Sequence, residues 1–290
     1  MVTFWRDGGG EGKLRTKQPL PCRTRKIWFV MNGPFLVVNS PQIVCVSEPD
    51  NGITQVTVRG RWNGALREEA SRVLRACVTQ APRMLLVDLT QLQDPAGDSA
   101  TMWRTAARYA RTVDPPVILV VCAAVLAVRQ RLSADGDQTV MLADTVDAAL
   151  AATPSQNGWI AQHHLALPAV PGAGALARTM VGDACLAFDV AHLVHPARLI
   201  VSELVSNAVL HAGTDMDVWV SVRDVRLHLA VQDRSRDLPQ LRDTGTPPAA
   251  LQRGWGLGLV AAAAATWGAM PSRHGKVVWA NLDTQAETAS

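Results

Sequence analysis

The sequence is poor in charged and aromatic residues, which make up 18% and 5% of its 290 residues. Its five cysteines form no CxxC pair, which argues against both a zinc site and a disulfide framework. The longest strongly apolar run, residues 116–127, is shorter than the roughly 20 residues that a membrane helix needs. We therefore expect no transmembrane span and a cytoplasmic location. A hydrophobic fraction of 48% predicts folded domains with sizeable cores.

The net charge of +3 comes from the N-terminal tail. Residues 1–30 hold seven basic and two acidic side chains, so the rest of the chain is net negative. We therefore expect no direct binding of nucleic acid. The tail is rich in glycine and lacks a hydrophobic pattern, which is typical of disorder. Two interpretations of the tail, residues 1–34, stay open: it is disordered, or the protein starts at Met31 and residues 1–30 are not translated.

Residues 203–211 are the most informative stretch, because polar side chains recur every four residues in an otherwise apolar helix. Residues four apart share one helix face, so Glu203, Asn207 and His211 form one polar line. A buried carboxylate without a partner is costly or shifts its pKa, so the line calls for a ligand, a metal or a hydrogen-bonding partner. For an isolated Glu-x-x-x-Asn, pairing within a structural helix would be the default interpretation.

Two further motifs follow along the chain. Asp233 ends a strand-like alternation, and Gly254, Gly256 and Gly258 form a glycine-rich turn before an alanine-rich helix. Glycines at a helix entry let backbone N–H groups approach phosphate oxygens, which the helix N-terminus also attracts. Each motif alone is weak, but the three in this order favour a ligand site.

Together, these motifs resemble the nucleotide pocket of the GHKL, or histidine-kinase-like, ATPase superfamily. The anti-sigma-factor serine kinase branch, of actinobacterial type, is the most similar, and the segments that carry this likeness are residues 202–208, 253–257, 267–268 and 275–279. The resemblance implies an α+β two-layer sandwich, with helices on one face of a mostly antiparallel sheet. A histidine kinase is disfavoured, because no helical dimerisation segment with a phospho-accepting histidine precedes this domain.

The resemblance also implies roles for individual residues. Glu203 would be the general base, Asn207 would hold the Mg²⁺ that bridges the ATP phosphates, and Asp233 would accept the adenine amino group. The three glycines would border the phosphates, and residues 234–253 would form a lid. Magnesium usually takes few protein ligands, so one asparagine suffices.

Two departures from the family pattern concern the lid and the adenine end. Ser235 stands where the family commonly carries glycine, and a late threonine of many relatives is replaced around Lys276. Both departures leave the expectation of ATP binding in place.

The N-terminal domain, residues 35–152, alternates strand-like and helix-like segments, which predicts a mixed α/β sheet covered by helices. Expected strands lie at residues 43–46, 53–58, 84–89, 117–121 and 139–142, and expected helices at 65–80, 97–112, 124–133 and 146–151. This order, with Asp88 near the end of a buried strand, resembles the STAS domain of anti-sigma-factor antagonists.

In phosphorylatable STAS domains, a serine or threonine at the start of the following helix accepts phosphate. Here Asp98 stands at the ungapped acceptor position and Ser99 one place later, so the motif is broken. A fixed aspartate would be a weak mimic of phosphoserine, with one negative charge against roughly 1.5 to 2. In the simpler interpretation, which we favour, Asp98 and Ser99 cap the helix. We expect no autophosphorylation of this domain.

A predicted linker, residues 153–162, leads into the ATP-binding domain, residues 163–284, which a short tail at 285–290 follows. Expected helices lie near residues 174–188, around Glu203 and at 257–267, and expected strands at 218–222, 227–232 and 277–282. His163 and His164 would point to opposite sides of a strand, which argues against a metal site there.

The leading hypothesis is a two-domain regulator in which a STAS-like domain is fused to an ATP- and magnesium-binding domain. It would act as a serine/threonine kinase on an antagonist STAS protein, with a sigma factor as a competing partner, in a partner-switching pathway that controls transcription. A homodimer is also open, because relatives of the kinase domain commonly dimerise. The alternatives are a non-catalytic module whose protein contacts respond to nucleotide and, less favoured, a plain ATP hydrolase.

Overall fold

The structure, a computed structural model, describes residues 34–134, 139–152, 161–239 and 256–285. The predicted tails and the predicted linker fall mostly outside these ranges, and so does most of the predicted lid. We refer to residues 34–152 as the N-terminal half and to residues 161–285 as the C-terminal half.

The N-terminal half contains all the strands and helices that the sequence predicts there, with ends shifted by a few residues. Its strands are β1 (Phe35–Leu36), β2 (Ile43–Glu48), β3 (Ile53–Arg61), β4 (Met84–Gln93), β5 (Ile118–Cys122) and β6 (Met141–Ala143). Its helices are α1 (Gly64–Gln80), α2 (Ala100–Thr112), α3 (Leu126–Ser133) and α4 (Val146–Ala151). Strands β3 to β6 run parallel, whereas β2 is antiparallel to β3. The predicted mixed α/β sheet is confirmed.

The C-terminal half is an antiparallel sheet with three helices on one face. Its strands are β7 (Ala161–Leu167), β8 (Met216–Arg223), β9 (Arg226–Asp233), β10 (Thr266–Ser272) and β11 (Gly275–Asp283). Its helices are α5 (Ala173–Ala187), α6 (Val194–Asn207) and α7 (Gly256–Ala263). Each neighbouring pair of strands from β7 to β11 is antiparallel.

The strands of the two halves form one continuous sheet, in the order β6-β5-β4-β3-β2-β10-β11-β9-β8-β7. The halves join where Ser47 of β2 pairs with Ser272 of β10. In addition, β1 pairs in parallel with β10 at Gly268. A Cβ on Gly268 would collide with the carbonyl oxygen of Phe35, so the absence of a side chain lets β1 approach this closely.

Both faces of the C-terminal sheet are buried. On one face, Val218, Leu229 and Val278 pack beneath α5, α6 and α7 in the core of the C-terminal half. On the other face, Trp219 and Trp279 belong to a core shared with α1 of the N-terminal half. Strands buried on both faces read as nearly continuous hydrophobic runs, and this explains the apolar runs Val218–Val220, Leu229–Val231 and Val277–Ala280 within β8, β9 and β11.

The predicted helix at residues 257–267 is wrong at its end. The helix α7 stops at Ala263, and Trp267 lies in strand β10. The alanines favour helix, but Thr266 and Trp267 have side chains that suit a pleated strand. Pairing of β10 with β11 and β1 settles the conformation, and neither pairing is visible in the local sequence.

One helical stretch, Ala191–Ala212, has the length and apolarity of a membrane span, with 22 residues and a mean hydropathy of 1.2. It consists mainly of α6, which packs against α5 and β9. Ile200, Leu204 and Val205 within it are almost fully buried. A helix in the core of a folded domain can be as long and as apolar as a membrane-spanning helix, so these two properties do not by themselves indicate a membrane span.

Candidate functional site

The polar line predicted in residues 203–211 lies on helix α6. Leu204 and Val205 point into the core of the C-terminal half, whereas Glu203 and Asn207 are half-buried. The apolar residues of α6 fix the helix on the sheet, and this packing leaves the Glu203 and Asn207 side chains beside the core rather than inside it. No residue that the structure describes forms a hydrogen bond or a salt bridge with the Glu203 carboxylate.

Directly after Asn207, the helix changes its hydrogen-bonding pattern. Residues Ala208–Ala212 form a π-helical turn, which ends at Gly213 with a φ of 62°. Single π-helical turns are rare and occur frequently at functional sites. The last turn of the predicted polar line, which carries His211, is therefore distorted relative to Glu203 and Asn207.

Glu203 lies against the start of helix α7. A Cβ added to Gly256 would collide with the carboxylate of Glu203, so glycine at this position makes room for the acidic side chain. A Cβ added to Gly258 would meet no atom within 4 Å. Gly254 lies outside the described residues. Of the two predicted phosphate-bordering glycines that the structure describes, Gly256 is the one that lies against Glu203.

Asp233 ends β9 on the helix-covered face of the sheet, opposite Lys276 of β11. The Nζ atom of Lys276 lies 3.0 Å from both carboxylate oxygens of Asp233. The backbone N–H of Ser235 also donates to Oδ1, at 2.8 Å. Both side chains of the ion pair are almost fully buried. The sequence noted Lys276 as a departure from the family pattern, but only the register of β9 and β11 reveals the pair.

Burial raises the pKa of the Asp233 carboxyl, while the hydrogen bond and the charge of Lys276 oppose this shift. A buried carboxylate is tolerated when a cation and hydrogen-bond donors satisfy it. Asp233 thus has its partners within the protein. Because α6 packs over β9 and β11, the Asp233–Lys276 pair lies on the sheet face that the helix with Glu203 and Asn207 covers.

The broken acceptor motif of the N-terminal half is organised by Asp94, not by Asp98 or Ser99. The carboxylate of Asp94 accepts the backbone N–H groups of Asp98 and Ser99, at 3.0 and 2.9 Å. Ser99 is fully buried, and its Oγ accepts the indole N–H of Trp103 at 2.9 Å. Asp98 is exposed, 3.6 Å from Arg131. Ser99 is the N-cap residue of α2 by position, as expected, but its side chain makes no capping hydrogen bond. The Asp94 carboxylate instead holds the two backbone N–H groups that precede the helix.

Sequence analysis missed the polar contacts that join the two halves. Asn281 of β11 donates to the carbonyl oxygen of Thr79 at the end of α1, at 3.0 Å, and to Thr266 Oγ1. Its Oδ1 lies 2.7 Å from Nδ1 of the buried His228. Since the amide nitrogen faces a carbonyl oxygen, Oδ1 must face His228, and Nδ1 of His228 is the donor. Burial lowers the pKa of His228 to about 4.

Arg223 forms a second link across this junction. Its guanidinium donates to the carbonyl oxygens of Pro82 and Pro116, at 3.2 and 3.0 Å. Burial lowers the pKa of Arg223 to about 10. Nothing in the local sequence of β8 signals these contacts, because their partners lie more than 100 residues away.

A cavity of about 500 Å³ opens beside the junction, on the sheet face opposite Glu203. Asp217 on its wall accepts from His164 Nε2 and from Arg234 Nη2, each at 2.9 Å. Arg273 pairs with Glu48 across the halves. These charged groups are paired with one another, and we assign no ligand to the cavity.

The two adjacent histidines lie on opposite sides of β7, as predicted. His163 packs against Phe188, whereas His164 stacks on Trp219 on the other side of β7. Among the described residues, no group of three or more histidine, cysteine, aspartate or glutamate side chains is arranged to hold a metal ion.

No protein-family model matches the chain, and no curated protein sequence matches it. Several solved structures are similar over part of it, among them two from mycobacteria. The RsbU and RsbW domains of a Mycobacterium tuberculosis protein match 42% of this chain and 32% of their own, with 18% identity and a TM-score of 0.33. An anti-sigma factor antagonist from Mycobacterium paratuberculosis matches 40% of this chain and 97% of its own, with 25% identity and a TM-score of 0.32. The matched region thus spans about a third of the first structure, and the proposals below rest on the residues of this chain.

Proposed function

We propose that the protein is an ATP-binding regulator of the anti-sigma-factor type. In this proposal the C-terminal half binds ATP with Mg²⁺ and transfers phosphate to a serine or threonine of an antagonist STAS protein. The observation that carries the proposal is the position of Glu203. Its carboxylate lies against a glycine at the start of a helix and one turn before Asn207, with no hydrogen-bond or salt-bridge partner among the described residues.

The residues around Glu203 fit the magnesium and phosphate end of a nucleotide. Asn207 offers the single oxygen ligand that Mg²⁺ commonly takes alongside waters and phosphate oxygens. The absence of a side chain at Gly256 lets the Glu203 carboxylate lie against α7, and backbone N–H groups at a helix N-terminus favour anions. ATP supplies the phosphoryl group, and catalysis of such a transfer is mainly positioning and stabilisation of charge. Glu203 would accept the proton of the attacking hydroxyl.

The phosphate acceptor belongs to another protein in this proposal. Ser99, the serine nearest to the acceptor position of the N-terminal half, is fully buried and bound to Trp103, so a kinase site cannot reach its hydroxyl without unfolding the start of α2. Because Ser99 of this chain is inaccessible, the substrate in this proposal is a separate STAS protein with an exposed serine or threonine. A sigma factor would compete with that protein for the same regulator.

Transfer of labelled phosphate from [γ-³²P]ATP to intact STAS proteins tests the proposal. The wild-type protein should label a STAS protein in the presence of magnesium. Glu203→Gln should abolish labelling while it preserves ATP binding. Asp183→Asn, which changes an exposed carboxylate on α5 of the same half, serves as the matched control and should label normally. Equal labelling by the wild type and Glu203→Gln would remove Glu203 from the reaction.

The second candidate is a non-catalytic module whose protein contacts respond to nucleotide. The Asp233–Lys276 pair favours it, because the residue expected to read adenine already has a buried partner within the protein. This candidate predicts no labelling of any STAS protein, together with a change in partner affinity when ATP is added.

A further inference from the structure

We propose that Lys276 makes the nucleotide site indifferent to the base, so that the C-terminal half accepts nucleoside triphosphates through their phosphates and magnesium rather than through adenine. The inference rests on the proposed nucleotide binding. It assigns a specificity-determining role to a residue that would not itself take part in phosphate transfer.

The geometry leaves few hydrogen-bonding sites free on the Asp233 carboxylate. An ionised carboxylate has about four lone-pair sites for hydrogen bonds. Lys276 contacts both oxygens at 3.0 Å, and Ser235 adds an N–H on Oδ1 at 2.8 Å. Three of the four sites are occupied, and the remaining one lies on Oδ2.

The ammonium of Lys276 is also a stronger partner than an aromatic amine. A hydrogen bond between two charged groups is stronger than one from a neutral donor. Separation of a buried ion pair leaves an uncompensated charge in the core, and here both side chains are almost fully buried. An adenine amino group would therefore add a bond to an already neutralised carboxylate instead of replacing Lys276.

A site discriminates between adenine and guanine when one of its own polar groups has a partner only while the correct base is bound. A site rejects an analogue that lacks a hydrogen-bonding group because the buried polar group of the protein is then left without a partner. With Lys276 in place, Asp233 keeps its partners whichever base is bound. Guanine, which carries a carbonyl where adenine carries its amino group, would leave no protein group without a partner at this position, because Asp233 keeps Lys276 and Ser235.

Calorimetric titration of the full-length chain with Mg-ATP and Mg-GTP tests the inference. We expect the wild type to bind the two nucleotides with dissociation constants within about threefold, and Asp233→Asn to change neither by more than that. Lys276→Thr removes the ammonium and retains a hydroxyl donor, so it should gain a preference for ATP of about tenfold or more. In the double variant Asp233→Asn/Lys276→Thr this preference should disappear. Thermal unfolding of each variant shows whether it is folded.

The outcomes separate the inference from the proposed function. A wild type that prefers ATP by about tenfold or more, and loses this preference on Asp233→Asn, would overturn the inference and keep nucleotide binding. Absence of binding by both the wild type and Lys276→Thr would overturn nucleotide binding itself and the inference with it. The comparison of Mg-ATP and Mg-GTP binding by the wild type tests the inference even if the variants fail to fold.

Discussion

The carboxylate of Glu203 fills the space that a side chain on Gly256 would need. This contact joins the polar line of α6 to the start of α7 and brings together two motifs that lie more than 50 residues apart in the sequence. The candidate site depends on it, because it places an acidic side chain beside the glycine-bordered helix entry.

Gly256→Ala should therefore displace Glu203 and impair the site. The carboxylate is the end of a flexible, half-buried side chain that can move aside, so we expect little change in stability together with weaker binding of Mg-ATP. Gly258→Ala is the matched control, because a Cβ at Gly258 meets no atom within 4 Å. In a helix, alanine is favoured over glycine by about 0.5 to 1 kcal/mol, so this variant should be neutral or slightly stabilised. Urea unfolding and calorimetry measure both effects, and equal behaviour of the two variants would contradict the proposed contact.

His228 should make the stability of the junction dependent on pH. Burial lowers its pKa in the folded protein to about 4, from the ordinary histidine value of 6.5. Between these values the unfolded state binds more protons, so the free energy of unfolding should fall as the pH falls from 6.5 towards 4. The loss from this group should be on the order of 3 kcal/mol at its largest. Denaturant unfolding at a series of pH values measures it.

Other groups titrate in the same range, so the control is His228→Gln, which cannot titrate. The difference between the wild-type and variant curves isolates the contribution of His228. If the two curves run parallel from pH 4 to pH 7, the histidine does not titrate differently in the folded and unfolded states.

Asn281 should matter for the joining of the two halves. Its amide donates to Thr79 and Thr266 and accepts from His228, so Asn281→Leu removes three hydrogen bonds. A hydrogen bond contributes about 0.5 to 1.5 kcal/mol net, and the variant should unfold at a clearly lower urea concentration. Gln91→Leu, at an exposed position of β4, is the control and should change stability little. A similar midpoint for Asn281→Leu and the wild type would show that the network does not stabilise the junction.

Ser99 should remain unmodified when the protein is offered to an active STAS kinase, because its hydroxyl is buried and bound to Trp103. Ser99→Ala should instead lower stability by about 1 to 3 kcal/mol, since it leaves the Trp103 N–H without its acceptor. Mass spectrometry and urea unfolding measure the two effects. Phosphate on Ser99 in the folded protein would contradict the burial argument.

Much of the fold could be predicted from hydrophobic periodicity. Helix α1 and strand β4 were expected within a few residues of their observed starts, because their patterns are long and regular. The strand at Trp267 was missed because its pairing partners are distant in sequence. The single sheet and the shared core under Trp279 were not predictable either, since a sheet face covered by another part of the chain leaves no local signal.

The candidate site, too, could be predicted from the sequence only in part. The spacing of Glu203 and Asn207 follows from helix geometry alone, and their half-buried positions agree with it. The partner of Asp233 depends on the register of β9 and β11, which brings Lys276 across from it after an intervening 42 residues. Sequence identified Lys276 only as a departure from a family pattern, whereas the structure reveals what that lysine contacts.

Calorimetric titration of the protein with ATP, with and without magnesium, tests the proposed ATP site in the wild type and in Asn207→Ala. We expect the wild type to bind ATP in a magnesium-dependent manner and Asn207→Ala to bind about tenfold or more weakly only when magnesium is present. Ser206→Ala, at an exposed neighbouring position on α6, should bind as the wild type does. Absence of binding by the wild type, or the same magnesium dependence in Asn207→Ala, would contradict the proposed ATP site.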